Sequence, residues 1–260
     1  MSTPDANRSS RDPNTTWARP VDALRVPGVP GQAVNLNVEG RQITSPVRGF
    51  GQLWQKTYRI VFEGKPVSPP EVIREWKAHF PEFWPKGNHF YGAQGSITPG
   101  DVAVLNLAGP GGITAPGGAP IISTGIMVVY ADEESFSFLT PQGHMFAAII
   151  TFSAAEEEGH TVAQIVALIR ASDPIFELVC RIGVGHKMED DFWFETLRNL
   201  AAHFGASGQP TLRRVLVDPA VQWSEARNLR FNSGVSTVIY LMLSPFRWMR
   251  DKIGAGKASA

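Results

Sequence analysis

Residues 173–204 read DPIFELVCRIGVGHKMEDDFWFETLRNLAAHF, and this stretch decides the fold. Asp173 followed by Pro174 indicates a helix start, because the carboxylate caps free N–H groups and proline lacks an N–H that would be left unpaired. Gly205 indicates the end of the helix. Between them, apolar residues recur mostly three and four positions apart, which predicts one long amphipathic helix with a buried stripe. The stripe comprises Ile175, Phe176, Val179, Ile182, Phe192, Trp193, Leu197, Leu200, Ala201 and Phe204.

The segments before this helix are typical of an antiparallel sheet. Residues 57–62 (TYRIVF) alternate polar and apolar side chains, and a short helix is predicted to open at Ser68. From residue 90, six apolar runs are separated by turn residues, which indicates about six strands joined as hairpins. A sheet that wraps the long helix would bury the apolar faces of both the sheet and the helix. Gly183 and Gly185 predict that the middle of that helix is kinked or is closely approached by another backbone or a ligand.

This order of elements resembles the START-like, or SRPBCC, superfamily, which includes polyketide cyclases. The resemblance covers residues 53–205 and is carried by GIMVVYADEESFSFLTPQGH (125–144) and DFWFETLRNLAAHFG (191–205). It implies an α+β helix-grip fold, in which a curved antiparallel sheet of about seven strands surrounds a long C-terminal helix. No catalytic signature accompanies it, so no catalytic residue is assigned.

The sequence divides into three parts. Residues 1–50 are rich in polar residues, Pro and Gly, and are predicted to form a disordered or extended N-terminal arm that becomes ordered only where VPGVPGQAVNLNV (26–38) touches the domain. Residues 51–205 form the predicted helix-grip domain. Residues 206–260 contain eight basic and three acidic residues and are predicted to form a basic extension with an amphipathic helix.

Charge and cysteine content exclude some functions. The whole chain has 24 basic and 24 acidic residues, so it lacks the basic excess that nucleic-acid binding needs. Cys180 is the only cysteine, so no intramolecular disulfide can form, and an inert buried thiol is expected. The N-terminal residues lack the apolar core of a secretory signal. A cytoplasmic location is therefore expected, with peripheral membrane contact as a further option.

A helix-grip fold predicts an apolar pocket between the sheet and the long helix. The glycine-rich loop at residues 109–120 lacks both phosphate-binding patterns and is interpreted as a lid at the pocket mouth. Aromatic residues with a polar handle are the main candidates for the wall. The predicted pocket residues are Trp76, Phe90, Tyr91, Tyr130, Phe138, Phe146, Cys180 and Trp193.

Candidates for catalysis are few. His186 and Asp190 are four residues apart, as metal ligands on a helix can be, but a surface pair is the favoured interpretation and no metal is predicted. The acidic runs at 156–158 and 189–191 are interpreted as a solvated turn and a solvated helix face. If one of these carboxylates faced the cavity, it would be an acid or base candidate with a raised pKa.

The tail contains an apolar segment, residues 234–249, that is shorter than the ~20 residues needed to span a bilayer. Flanking Arg and Trp residues are typical of an interfacial helix on anionic lipid, whereas docking on its own domain or on a second subunit is the alternative. The predicted membrane or partner contacts are Arg227, Arg230, Tyr240, Leu241, Arg247, Trp248 and Arg250.

Three functions remain open from the sequence. The first is binding or transport of a hydrophobic small molecule or lipid, without a cofactor and without catalysis. The second is a polyketide cyclase-like or isomerase-like enzyme that uses a pocket carboxylate or histidine. The third is an interaction protein with a filled core and a partner-binding tail. An apolar cavity with no buried ionisable group favours binding, and a cavity on which an Asp, Glu or His converges favours catalysis. A packed interior favours the third function.

Overall fold

The computed structural model describes residues 16–26, 28, 33–64, 66–92 and 97–243. In these ranges the chain forms eight strands, four α-helices and five short 3-10 helices. The strands are β1 Leu53–Val61, β2 His89–Tyr91, β3 Val102–Leu107, β4 Ile122–Ala131, β5 Ser135–Leu139, β6 Phe146–Glu157, β7 His160–Ala171 and β8 Thr211–Asp218. The α-helices are α1 Pro69–Ala78, α2 Pro174–Arg181, α3 Val184–His203 and α4 Ser233–Met242. The 3-10 helices are Pro46–Arg48, Phe80–Phe83, Pro110–Gly112, Pro116–Gly118 and Trp223–Phe231.

The strands form one sheet in the order β2-β3-β4-β5-β6-β7-β1-β8. Every neighbouring pair of strands is antiparallel. Strands β3 to β7 follow one another both along the chain and across the sheet, whereas β1 lies between β7 and β8. Helix α1 contacts β6 and β7, and α3 contacts β1, on the same side of the sheet. An antiparallel sheet that encloses α3 is the helix-grip architecture that the sequence predicted.

Aromatic side chains fill much of the space between the sheet and the helices. Phe136 on β5 stacks on Phe152 on β6 with ring centroids 4.6 Å apart, and Trp76 of α1 contacts the edges of both rings. Phe80 meets the same pair from the end of α1. Burying such large rings is the main source of stability in a core of this kind.

The predicted long helix is two helices with a break at Gly183. Gly183 has φ +84°, a left-handed conformation that ends the hydrogen-bonding run of α2 before α3 begins. At Gly185 a Cβ atom would lie 2.8 Å from the Sγ of Cys180, so the backbones also approach closely there. Both the kink and the close approach expected from the two glycines therefore occur.

The break changes which apolar residues are buried. Trp193, Leu197 and Leu200 on α3 face the core as predicted. Ile175 and Ile182 are wrongly placed in the predicted stripe, since they are 41% and 67% exposed, and Ile182 follows the last turn of α2. The period of a single straight helix cannot be extended across Gly183.

Part of the N-terminal arm packs on the sheet instead of extending away from it. Leu24 and Val38 are buried with Val104 and Met127 on the face of β3 and β4 that is opposite the main core. The absence of a side chain at Gly125 leaves room for Val38, since a Cβ atom on Gly125 would lie 2.7 Å from that valine. The described part of the arm is thus extended but not free, which its polar composition did not reveal.

The sheet also continues beyond residue 205, the predicted end of the domain. Strand β8 pairs along most of β1, so part of the segment interpreted as an extension belongs to the domain. Helix α4 follows and contacts β4. The predicted contacts Arg247, Trp248 and Arg250 lie outside the described residues.

The buried arm generates a stability prediction. Leu24→Ala should lower the free energy of unfolding by about 2–5 kcal/mol, because the leucine is 1% exposed and its loss leaves a cavity. Denaturant titration measures the change. The control is Val21→Ala, which truncates an exposed residue of the same arm and should change stability by less than about 0.5 kcal/mol. Equal stabilities for the two variants would show that the arm does not pack on the sheet.

Candidate functional site

A cavity of about 650 Å³ lies between the sheet and α3. Most of the residues around it are aromatic or aliphatic, with a few polar groups among them. The apolar wall consists of Phe80, Trp84, Leu105, Leu107, Ile126, Phe138, Met145, Phe146, Ala148, Ile150, Met188, Phe192, Trp193 and Phe194. The polar residues include Asn88, Thr140, His144, Glu189, Asp191, Glu195 and Arg198. Such a lining is common in small-molecule sites of proteins.

Two loops form one side of the cavity. Residues 109–112 of the glycine-rich loop line it together with residues 85–88. The loops touch so closely that a Cβ atom on Gly87 would lie 2.9 Å from the carbonyl oxygen of Gly112. The loop is therefore at the position expected of a lid, and its movement stays a prediction.

A cluster of buried charges adjoins the cavity. Lys56 points inward from β1, and its ammonium group donates to Glu189 Oε2 at 2.7 Å and to Asp190 Oδ1 at 2.9 Å. Asp190 also accepts from the hydroxyl of Tyr58 at 2.7 Å and from Arg214 of β8. The Lys56 side chain is 0% exposed. Buried charges of this kind persist only when they are paired, and here two cations offset two carboxylates.

Glu189 is the charged member of the cluster that lines the cavity. Its Oε2 is bound by Lys56, whereas no described residue donates a hydrogen bond to its buried Oε1. Burial raises the pKa of this carboxyl, and the nearby Lys56 opposes that rise only in part. Glu189 therefore combines a place in the cavity lining with a raised pKa and a carboxyl oxygen that has no donor among the described residues.

His144 lines the same cavity and is neutral. Burial lowers its pKa to about 4. Its Nδ1 lies 3.0 Å from both the nitrogen and the carbonyl oxygen of Phe146, and that carbonyl also accepts from Thr140 at 2.8 Å. Nδ1 accepts from the Phe146 N–H in the tautomer with the proton on Nε2, and it donates to the Phe146 carbonyl in the other tautomer.

The structure corrects the interpretation of His186 and of residues 189–191. His186 and Asp190 are not a surface pair, because the His186 ring packs against Trp54 and Asp190 binds Lys56 and Tyr58. Burial and the charge of Lys56 lower the pKa of His186 to about 4. The run 189–191 is not a solvated face either, since only Asp191 is exposed. No group of three or more His, Cys, Asp or Glu side chains within the described ranges is arranged to hold a metal ion.

Three of the eight predicted pocket residues line the cavity, namely Phe138, Phe146 and Trp193. Whether they contact a ligand stays a prediction. The other five are elsewhere for specific reasons of packing. Trp76 is part of the aromatic core, Phe90 lies behind Trp84, Tyr91 packs with the second core, Tyr130 contacts Trp17, and Cys180 lies under the α2–α3 break.

Cys180 fits the expected inert thiol. It is buried, and burial raises its pKa to about 12, with Glu189 and Glu177 adding to the effect. A thiol with so high a pKa is a poor nucleophile at neutral pH.

Sequence reasoning missed Lys56 and placed Glu189 on the wrong face. Both were detectable in principle. Extending the alternation of β1 back from Tyr58 puts Lys56 at an inward position, where a lysine requires a partner of opposite charge. On α3, Glu189 precedes Trp193 by four residues and so shares its inward face.

The predicted tail contacts that the structure describes lie on and before α4. Arg227 is exposed and pairs with Glu225, and the guanidinium of Arg230 lies over the ring of Phe231 at 4.5 Å. Tyr240 and Leu241 are half-buried. No contact of any of them with a membrane or second subunit is shown.

The strand order, α3 and the cavity beneath it define the class of fold, which is a helix-grip fold. No family model and no curated protein matches its sequence.

Several solved structures can be aligned with part of the chain. Protein Ms6760 from Mycobacterium smegmatis is 15% identical with a TM-score of 0.37, over 63% of this chain and 96% of that one. Major latex-like protein 151 from Panax ginseng is 13% identical with a TM-score of 0.37, over 59% and 98%. The di-domain ARO/CYC StfQ from the steffimycin biosynthetic pathway is 10% identical with a TM-score of 0.42, over 58% and 50%.

The charge cluster generates the next prediction. Lys56→Met should lower the free energy of unfolding by about 3–5 kcal/mol, because two buried carboxylates lose their shared cation. Combining it with Glu189→Gln should restore part of the loss by removing one unpaired charge. Equilibrium denaturation of each variant measures the change.

The control is Lys187→Met, the same substitution at an exposed lysine that pairs with Asp191 on α3. Exposed pairs contribute little, so this variant should lose less than about 0.5 kcal/mol. A similar loss for both lysine variants would contradict the buried cluster.

Proposed function

We propose that this chain binds an apolar small molecule that carries a hydrogen-bond donor. The molecule occupies the cavity under α3, and its donor binds the carboxyl group of Glu189. The observation that carries the proposal is Glu189 itself, which lines a mostly apolar cavity and whose Oε1 has no hydrogen-bond donor among the described residues. A buried acceptor without a partner costs about 1–3 kcal/mol, and a ligand hydroxyl would remove that cost.

The size and lining of the cavity support the same proposal. A volume of about 650 Å³ falls within the range of sites for drug-sized ligands. Aromatic residues from α3 and from the sheet surround the space, so a flat or elongated apolar molecule would be desolvated on most sides. This cavity counts against the alternative of a filled core.

Paired probe molecules test the role of Glu189. 2-Naphthol and 2-methoxynaphthalene share a ring system, but only the naphthol can donate a hydrogen bond. We expect the wild-type chain to bind 2-naphthol about tenfold more tightly, because a hydrogen bond to a charged group contributes about 1.5 kcal/mol or more. Glu189→Met should abolish this preference, as measured by calorimetric or fluorescence titration of both probes.

The matched control is Asp191→Met, the same type of change at an exposed residue of the cavity rim. It should keep the preference for 2-naphthol. Ile150→Trp, which adds bulk to the cavity wall, should weaken both probes. Binding of neither probe to the wild-type chain, or an unchanged preference in Glu189→Met, would refute the proposal.

A second candidate function is proton transfer on a bound carbonyl compound. The specific support is that a carboxyl with a raised pKa and a neutral histidine line one apolar cavity. Glu189 as a carboxylate would take a proton from the carbon next to a carbonyl group, and the electron pair of that C–H bond would form the enolate. In the tautomer with its proton on Nε2, His144 would donate a hydrogen bond to the enolate oxygen.

Hydrogen–deuterium exchange on 2-tetralone separates binding from catalysis. In deuterated buffer, a catalytic carboxylate would accelerate exchange at the carbon between the carbonyl and the ring, and mass spectrometry would follow the deuterium content. Glu189→Gln should reduce the acceleration by about a hundredfold or more, whereas Asp191→Asn should not. Exchange at the buffer rate in the presence of wild-type chain would leave the binding function and exclude this reaction.

A further inference from the structure

Helix α4 presents its apolar residues to solvent. Val235, Val238, Ile239 and Met242 recur at steps of three, one and three, which places them on one side of the helix. They are 42%, 45%, 51% and 70% exposed. A helix that only covered its own domain would turn this side inward.

The opposite, polar side of α4 is fixed to the domain. Thr237 is fully buried, and its hydroxyl accepts from the backbone N–H of Ser123 on β4 at 3.0 Å. Asn232 caps the helix by accepting from the N–H of Val235 and donates to Asp173 Oδ2 at 2.8 Å. These buried hydrogen bonds set the rotation of α4, so the apolar side faces out in a fixed orientation.

The chain carries basic residues both before and after α4. Arg227 and Arg230 are exposed on the segment that leads into α4, while the only acidic residue of that segment, Glu225, is buried. The sequence after α4 adds Arg247, Arg250, Lys252 and Lys257 against Asp251. An apolar surface with basic residues before and after it is complementary to an anionic lipid surface.

We infer that the exposed side of α4 docks on an anionic bilayer surface, with its apolar side chains at the level of the acyl boundary and the basic residues among the headgroups. A second copy of the chain is the less favourable occupant, because a symmetric contact would bring like charges together. Insertion across the bilayer does not occur through α4, since ten residues of helix extend about 15 Å. Within the described ranges, no helix has the length and apolarity needed to span a membrane. This inference is independent of the ligand in the cavity.

Vesicle co-sedimentation tests the inference with the full chain. We expect binding to vesicles of phosphatidylcholine mixed with phosphatidylglycerol at low salt, weaker binding at high salt, and little binding to phosphatidylcholine alone. The double variant Val238→Gln with Ile239→Gln should lower the partition coefficient by about tenfold, because two apolar side chains no longer contribute their burial. Both positions are exposed, so a thermal melt should show the variant to be folded.

The matched control changes two exposed valines elsewhere, Val21→Gln with Val61→Gln, and should bind like the wild-type chain. The inference is overturned if the wild-type chain stays in the supernatant with anionic vesicles at low salt. It is equally overturned if the α4 double variant binds as well as the wild-type chain. A wild-type dimer in sedimentation analysis that the α4 double variant converts to a monomer, without vesicle binding by either, would identify a second copy as the occupant.

Discussion

The ammonium group of Lys56 lies between the carboxylates of Glu189 and Asp190, and this contact joins the sheet to α3. Taking these three charges out of water costs several kcal/mol per ion, and the cost is offset only when the groups meet at hydrogen-bonding distance. A slip of α3 by one turn, about 5.4 Å along β1, would leave all three unpaired. The cluster therefore selects one position of the helix on the sheet more strictly than apolar packing alone, which tolerates side chains of similar size.

The same cluster determines what the cavity presents to a ligand. Asp190 is held by Lys56, Tyr58 and Arg214, so its oxygens are engaged within the protein. Glu189 is held at Oε2 alone, and its other oxygen is buried without a donor among the described residues. The pairing that positions the helix thus also orients a carboxyl group with a raised pKa in an apolar space, a combination suited to recognising or transferring a proton on a bound molecule.

The sequence predicted the architecture because Asp173 and Pro174 mark the start of the helical region and turn residues separate the strands, and Trp193 and Leu197 are buried as their spacing required. It failed at positions where one contact outweighs the local pattern. Ile182 is exposed because a single glycine ends the helical period before it. Leu24 is buried within a segment whose average composition is polar. The side chain of Glu189 is buried because it pairs with Lys56, which is distant in sequence but adjacent in space. Averages over a window cannot show such long-range pairs.

Two elements break the rule that charged residues face out and apolar residues face in, and they do so in opposite senses. On α3 a carboxyl group is buried next to empty space, and on α4 an apolar side is exposed while Thr237 is buried. Neither arrangement is a product of loose packing, since Lys56 fixes the first and the hydrogen bonds of Asn232 and Thr237 fix the second. A fold that maintains an unfavourable surface by specific hydrogen bonds forgoes stability at that place. Binding to a partner would recover that stability. An apolar ligand is therefore expected at the carboxyl group of α3, and a lipid surface at the apolar side of α4.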